Sequence, residues 1–298
     1  MKNRIVFIVA TQYDNVGDLL INKCLIDQLS LHGEVYIDSK NVPDHFKNLL
    51  LKGSNNVFEL KAITDYNFKS LSFIRLLYSN FGFTHIFRSP GPLRNGGSIK
   101  VFTKNLVIGM IFNLFKRKGV NSFLVGNDIH FKGSMDSFMV KHFSKNVAKI
   151  LCRSEENVRA LKKLSVNQVG YIPDMCFGYR PTQNNSCTTK AIAISFRDLE
   201  DVSYDDKIRR TIQSILESNK YDSVVFFYQV QRDYDYNKRL YMYFQEYKNV
   251  VFKEECLEWS DLSFYNRFRG FLLFEDFLRK LGKILTDIIM IFSAQQIL

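Results

Sequence analysis

The chain of 298 residues carries a formal net charge of +11, is 46% hydrophobic with 27 Phe and 15 Tyr, and contains only 15 Gly and 5 Pro. That apolar content excludes an intrinsically disordered or low-complexity protein, and the length suffices to bury two moderate cores. Five scattered cysteines with no C-x-x-C pair exclude a disulfide framework and a zinc knuckle, and they suit a reducing, cytoplasmic setting.

Ile5 to Ala10 reads as a buried first strand, too short for the apolar core of a signal peptide. No segment reaches the roughly 20 apolar residues that a membrane-spanning helix needs. A first helix is predicted from about Leu19 to Leu31, with a left-handed cap at Gly33. Strands follow at Glu34 to Asp38, Thr84 to Ser89, Ser122 to Val125 and Ala148 to Cys152, with a helix near Ile99 to Lys116. The polar stretch G-Y-R-P-T-Q-N-N-S-C-T-T-K from Gly178 to Lys190 reads as a connector, which divides the chain into domains at 1–178 and 188–298. The alternation then restarts with strands at Ala191 to Phe196, Ser223 to Tyr228 and Asn249 to Phe252, and helices near Asp205 to Ser218 and Tyr234 to Tyr247. Strand-helix-strand units of this kind predict an α/β fold of two Rossmann-like lobes on parallel sheets, the second of them short and incomplete.

All of the excess positive charge lies before residue 179; beyond it, basic and acidic residues balance. Between Asp65 and Asp128 there is no acid, while Lys69, Arg75, Arg88, Arg94, Lys100, Lys104, Lys116, Arg117 and Lys118 fall in that span. A field of one sign favours an anionic partner such as a phosphorylated ligand or an anionic membrane face, and a lysine-rich solvated face is the plain alternative. No groove-reading motif accompanies the charge, so nucleic acid is not an expected partner.

In open parallel sheets ligands sit beyond the carboxyl ends of the strands, which directs attention to the loops at 11–18, 89–97, 126–130 and 197–201. Asn15-Val16-Gly17-Asp18 stands where the first strand hands over to the first helix. There Gly17 allows close backbone approach or a positive φ, and Asp18 can cap the helix. An anion or sugar oxygen can use the same helix start with Asn15; an ordinary capped turn reads the same way. Gly91 lies in the R-S-P-G-P stretch, and Asn127 and Asp128 in L-V-G-N-D-I-H suit either sugar hydroxyls or turn capping. His130 closes that stretch and is the histidine placed for proton transfer. Asp174, after Pro173, reads as an organiser of the junction. No H-E-x-x-H, Walker lysine motif, G-x-S-x-G or full G-x-G-x-x-G occurs.

The stretches N-V-G-D-L-L-I-N-K-C-L, R-S-P-G-P, L-V-G-N-D-I-H, C-R-S-E-E-N, Y-I-P-D-M-C-F, I-S-F-R and F-Y-Q-V-Q-R-D-Y-D follow one another in that order between residues 4 and 255. In this the chain resembles the polysaccharide pyruvyl transferase family. The resemblance implies a GT-B-like fold and an enzyme with phosphoenolpyruvate as donor substrate and neither cofactor nor metal. Its product would be a pyruvate ketal on a sugar of a surface polysaccharide or of its lipid-linked saccharide precursor. Such chemistry needs a general acid, a general base and cations for a carboxylate and a phosphate. The resemblance implies Arg197 and Arg153 for the anions, since a guanidinium forks onto either group. Their alternative partners are Asp198 or Glu200 for Arg197, and Glu155 or Glu156 for Arg153.

Family members continue into a strand and an Arg-x-His pair near the C-terminus. Here Thr286 to Phe292 resembles that strand and Ser293 to Leu298 follows without the pair, so a truncated chain with impaired activity is expected. A GT-B-type glycosyltransferase and a non-catalytic binding module are the alternatives. Phe115-Lys116-Arg117-Lys118 is expected to seat the protein peripherally on the anionic inner membrane face.

Overall fold

Strand β1 (Asn3–Ile8) buries Ile5, Val6 and Phe7 in succession, the run of apolar residues that marks a strand covered on both faces. It lies inside a seven-stranded sheet of a computed structural model that describes residues 3–62, 76–78, 81–94, 99–178, 190–197, 202–228, 230–256 and 270–274. Outward on one side come β2 (Gly33–Asp38) and β3 (Val57–Glu59); on the other come β4 (His85–Arg88), β6 (Asn121–Val125), β8 (Lys149–Cys152) and β9 (Val169–Tyr171). Every pairing is parallel. Helices whose bounds are described in this unit are α1 (Val16–Ser30), α2 (Asp44–Leu51), α3 (Ile99–Arg117), α4 (Gly133–Ser144) and α5 (Glu155–Lys163).

Local chemistry sets these elements. α5 begins at Ser154, whose side chain accepts from the Asn157 amide at 3.2 Å; Glu155 and Glu156 occupy its first turn and Lys162 and Lys163 its last, matching the helix dipole at both ends. Gly33 is not the left-handed helix cap that the sequence suggests. It opens β2, and a Cβ there would lie 2.3 Å from the Asn3 carbonyl oxygen, so close approach of β1 is what requires glycine.

Two neighbouring strands extend beyond the sheet. After β4 the chain runs through Ser89 and Pro90 into β5 (Gly91–Arg94), and after β6 it runs through Gly126 into β7 (Asn127–His130). β5 and β7 form a separate parallel ribbon in which Gly91 faces Asn127 and Arg94 faces His130. Gly126 takes φ +70° and Gly91 φ +129°, backbone that L side chains avoid, which is how each strand changes direction. The segments expected as loops at 89–97 and 126–130 are therefore partly strand.

The first compact unit is built from residues 3–13 and 17–178; a second contains residues 14–16 and the described residues from 190 onward. The second comprises β10 (Ala191–Phe196), α6 (Val202–Glu217), β11 (Ser223–Phe226), α7 (Tyr234–Phe244), β12 (Val250–Phe252) and β13 (Gly270–Phe274). The sheet order is β12-β11-β10-β13, again parallel throughout. Ile192, Ile194 and Phe196 of β10 pack with Ile208, Ile212 and Leu216 of α6 and Leu240 and Phe244 of α7. Both units are thus α/β and Rossmann-like. Thr286 to Phe292 lies outside the described residues, as does most of the connector.

Candidate functional site

In the first unit the strand order reverses its direction between β1 and β4, and the chain is tightly tied there. Ser89 donates its amide to the Ile8 carbonyl at 3.0 Å and accepts from the Ala10 amide through Oγ at 2.9 Å. Asn127, 1% exposed, donates Nδ2 to the Ser89 and Gly91 carbonyls, both at 3.0 Å, and so holds the two strand kinks together. Its Oδ1 is buried with no hydrogen-bond partner among the described residues. Arg88 ends β4 beside Ile8 of β1. It is half-buried, has no hydrogen-bond or ion-pair partner among the described residues, and burial pushes its guanidinium down from the ordinary value.

Asn15 and Gly17 flank the start of α1, and Gly17 is helical, inside the first turn. Because α1 begins at Val16, earlier than the sequence suggests, Asp18 is also within that turn. Its carboxylate accepts from the amide of Gln12 in the preceding loop at 3.0 Å.

Arg153 stands between two carboxylates. Its Nε lies 3.5 Å from Asp128 and its Nη1 3.1 Å from Asp174. The second oxygens are used as well: Asp128 accepts from the Ser154 amide at 3.3 Å and Asp174 from the Cys176 amide at 3.1 Å. The expected alternative of Glu155 or Glu156 is corrected, since Glu155 instead faces Arg159. The trio knits the β7, β8 and β9 ends together and carries one net negative charge. Next to it, burial and Asp128 push the Cys152 thiol up to about 12, and burial and Asp174 do the same to Cys176. Cys24 is pushed up to about 11, chiefly by burial and Asp27. These thiols are therefore protonated at neutral pH and unsuited to nucleophilic work.

His130 lies at the outer end of β7 and is exposed. In the second unit Arg197 follows β10 directly, is half-buried, and has no hydrogen-bond or ion-pair partner among the described residues. Asp198 and Glu200, its expected alternatives, lie outside those residues. Among the described residues no group of three or more His, Cys, Asp or Glu could hold a metal ion, and no helix is long and apolar enough to cross a membrane.

Three residues that the sequence reading passed over organise these edges. Asn157 of α5 accepts from the Ile129 amide at 3.0 Å and donates to the Ile129 carbonyl at 2.8 Å, serving the backbone of β7 as a neighbouring strand would. Asn237 of α7, 0% exposed, does the same for Phe196: it accepts at 2.8 Å and donates at 2.7 Å. Arg88 is the third, and it had a signal. β4 ends in Ile-Phe-Arg and β10 runs into Ser-Phe-Arg, an apolar strand delivering a cation at its carboxyl end in both places.

No family model and no curated protein matches the chain. Solved structures similar to it include UDP-GlcNAc 2-epimerase from Neisseria meningitidis bound to UDP-GlcNAc, at 12% identity over 91% of this chain and 77% of that one, TM-score 0.47. A putative UDP-N-acetylglucosamine 2-epimerase from Listeria monocytogenes is 9% identical over 92% of this chain and 74% of its own, TM-score 0.49. The E. coli heptosyltransferase solved with ADP is 9% identical over 91% and 81%, TM-score 0.41.

Proposed function

We propose that the chain is a sugar-processing enzyme of the GT-B type that takes a nucleotide sugar as its phosphorylated donor. One observation carries the reading. In each unit the described strands run in the order that places a ligand crevice beside the central pair, and at that pair stands an arginine with no described partner: Arg88 ending β4 next to β1, and Arg197 following β10. A half-buried cation without a carboxylate is costly unless an anion arrives, and the diphosphate of a nucleotide sugar is an anion of the right class.

Pyruvyl transfer from phosphoenolpyruvate is the second reading, favoured by the ordered motifs and by Arg197. It is weakened at Arg153, whose charge Asp128 and Asp174 already neutralise. Titration calorimetry with UDP-N-acetylglucosamine and with phosphoenolpyruvate separates the two. Binding of the nucleotide sugar, weakened by Arg197→Ala, supports the first; binding of phosphoenolpyruvate alone replaces it with the second; heat from neither leaves a non-catalytic module.

A further inference from the structure

A surface helix of an α/β unit normally turns a polar stripe to solvent, whereas α3, among its described side chains, exposes large apolar residues as well. Thr103, Val107, Met110, Lys116 and Arg117 are exposed along it, Val107 by 47% and Met110 by 58%, and Leu114 is half-buried. α4 lies alongside. A Cβ on Gly109 would come within 2.9 Å of the His142 ring, and Asn146 donates to the Gly109 carbonyl at 3.3 Å. Further on, Lys116 donates to the Lys145 carbonyl at 3.1 Å, so the two helices run in the same direction. On α4, Phe138 stacks on that same His142 at 6.3 Å and is 62% exposed, with Met135 63% exposed one turn earlier. Val107, Met110, Met135 and Phe138 therefore belong to one apolar face.

Basic residues flank this face. Arg117 and Lys118 end α3 in solvent, Lys118 sits 4.0 Å over the ring of the exposed Tyr78, and Lys132, Lys141 and Lys145 are exposed along α4. The acid of α4, Asp136, is engaged by the Lys132 amide at 2.9 Å, and no acidic residue occurs between Asp65 and Asp128.

We propose that the α3–α4 face seats the protein on an anionic lipid bilayer, with Met110 and Phe138 entering the interface and Arg117, Lys118, Lys141 and Lys145 meeting lipid phosphates. The charge selects this occupant. Pairing with a second copy through the same face would bring like-charged rims together, whereas an anionic bilayer supplies apolar depth and opposite charge at once. Each basic side chain near such a surface is worth about fivefold in partition.

Flotation of the full chain with equimolar phosphatidylglycerol and phosphatidylcholine vesicles, against phosphatidylcholine alone, tests this. The expected result is at least about tenfold greater binding to the anionic vesicles, lost in high salt. Met110→Glu with Phe138→Glu, and separately Lys141→Glu with Lys145→Glu, should each lower it about tenfold or more while circular dichroism stays unchanged. Equal partition onto both vesicle types, or variants that float like the parent, overturns the proposal. A concentration-dependent dimer that the apolar double variant dissolves, without vesicle binding, assigns the face to a second copy instead.

Discussion

The two units are built to one plan but differ in what occupies the ends of their strands. In each, an asparagine from a helix grips the amide and carbonyl of one strand residue: Asn157 on Ile129 in the first, Asn237 on Phe196 in the second. In each, an arginine stands where strand passes to loop. The first unit has two, Arg153 held between Asp128 and Asp174 and Arg88 with no described partner, whereas in the second Arg197 faces no described partner. The lesson is that an arginine at a strand end is by itself ambiguous; the carboxylates around it decide whether it braces the fold or waits for an anion.

The clamps give the sharpest way to break the parallel. Asn237→Ala strands a buried Phe196 amide and also loses the 2.7 Å bond from Nδ2 to the Asp233 carbonyl, so it should destabilise the second unit by about 3 kcal/mol. Asn157→Ala, at a less buried residue, should cost about 2 kcal/mol. Hydrogen exchange at β10 and β7 along a urea series reads each unit by itself; equal losses would mean the clamps are interchangeable.

The arginines offer a contrast of sign. Arg153→Met leaves the buried Asp128 without its cation and should cost about 2 kcal/mol of first-unit stability. Arg88→Met removes a desolvated charge that has no partner among the described residues and should raise stability by about 1 kcal/mol, while weakening donor binding about tenfold or more. Thermal melts with and without UDP-N-acetylglucosamine check both; destabilisation by Arg88→Met would show that the residue braces the fold as Arg153 does.

Gly126→Ala tests the kink that the second unit lacks among its described strands. At φ +70° and with Pro90 Cβ 3.1 Å from the new methyl, it should cost about 1 kcal/mol in equilibrium unfolding. The smallest effect concerns His85. Burial holds its ring below the ordinary value of 6.5, so the unfolded chain takes up the proton more readily and stability falls as pH drops below that value. His85→Phe should flatten that part of the pH–stability profile, because the Phe123 ring 5.8 Å away can stack on either side chain.

Much of the framework was legible in the sequence because buried parallel strands announce themselves. Ile5 to Ala10, Ser122 to Val125 and Ala191 to Phe196 are short apolar runs between helical patterns, and β10 coincides with its prediction. β3, with three residues, and β9, with three, carry too little pattern to stand out. The ribbon was hidden for a different reason: Gly91 and Gly126 look like loop punctuation, and only the pairing of Gly91 with Asn127 reveals continuing strands. At the site, Arg153, Asp128 and Asp174 were each singled out, yet sequence distance concealed that they meet. Arg88 was passed over because an arginine ending a strand carries no local sign of being unpaired.

The placement of β1 has a consequence for how the molecule is made. Among the described strands of its sheet it is synthesised before the others, and it ends as an interior rail flanked by β2 on one side and β4 on the other. Each later strand of that sheet, β6, β8 and then β9, attaches only to the margin left by its predecessor. The first unit can therefore accrete in step with translation and present one growing margin at a time, an order of assembly that keeps sticky half-built surfaces short-lived.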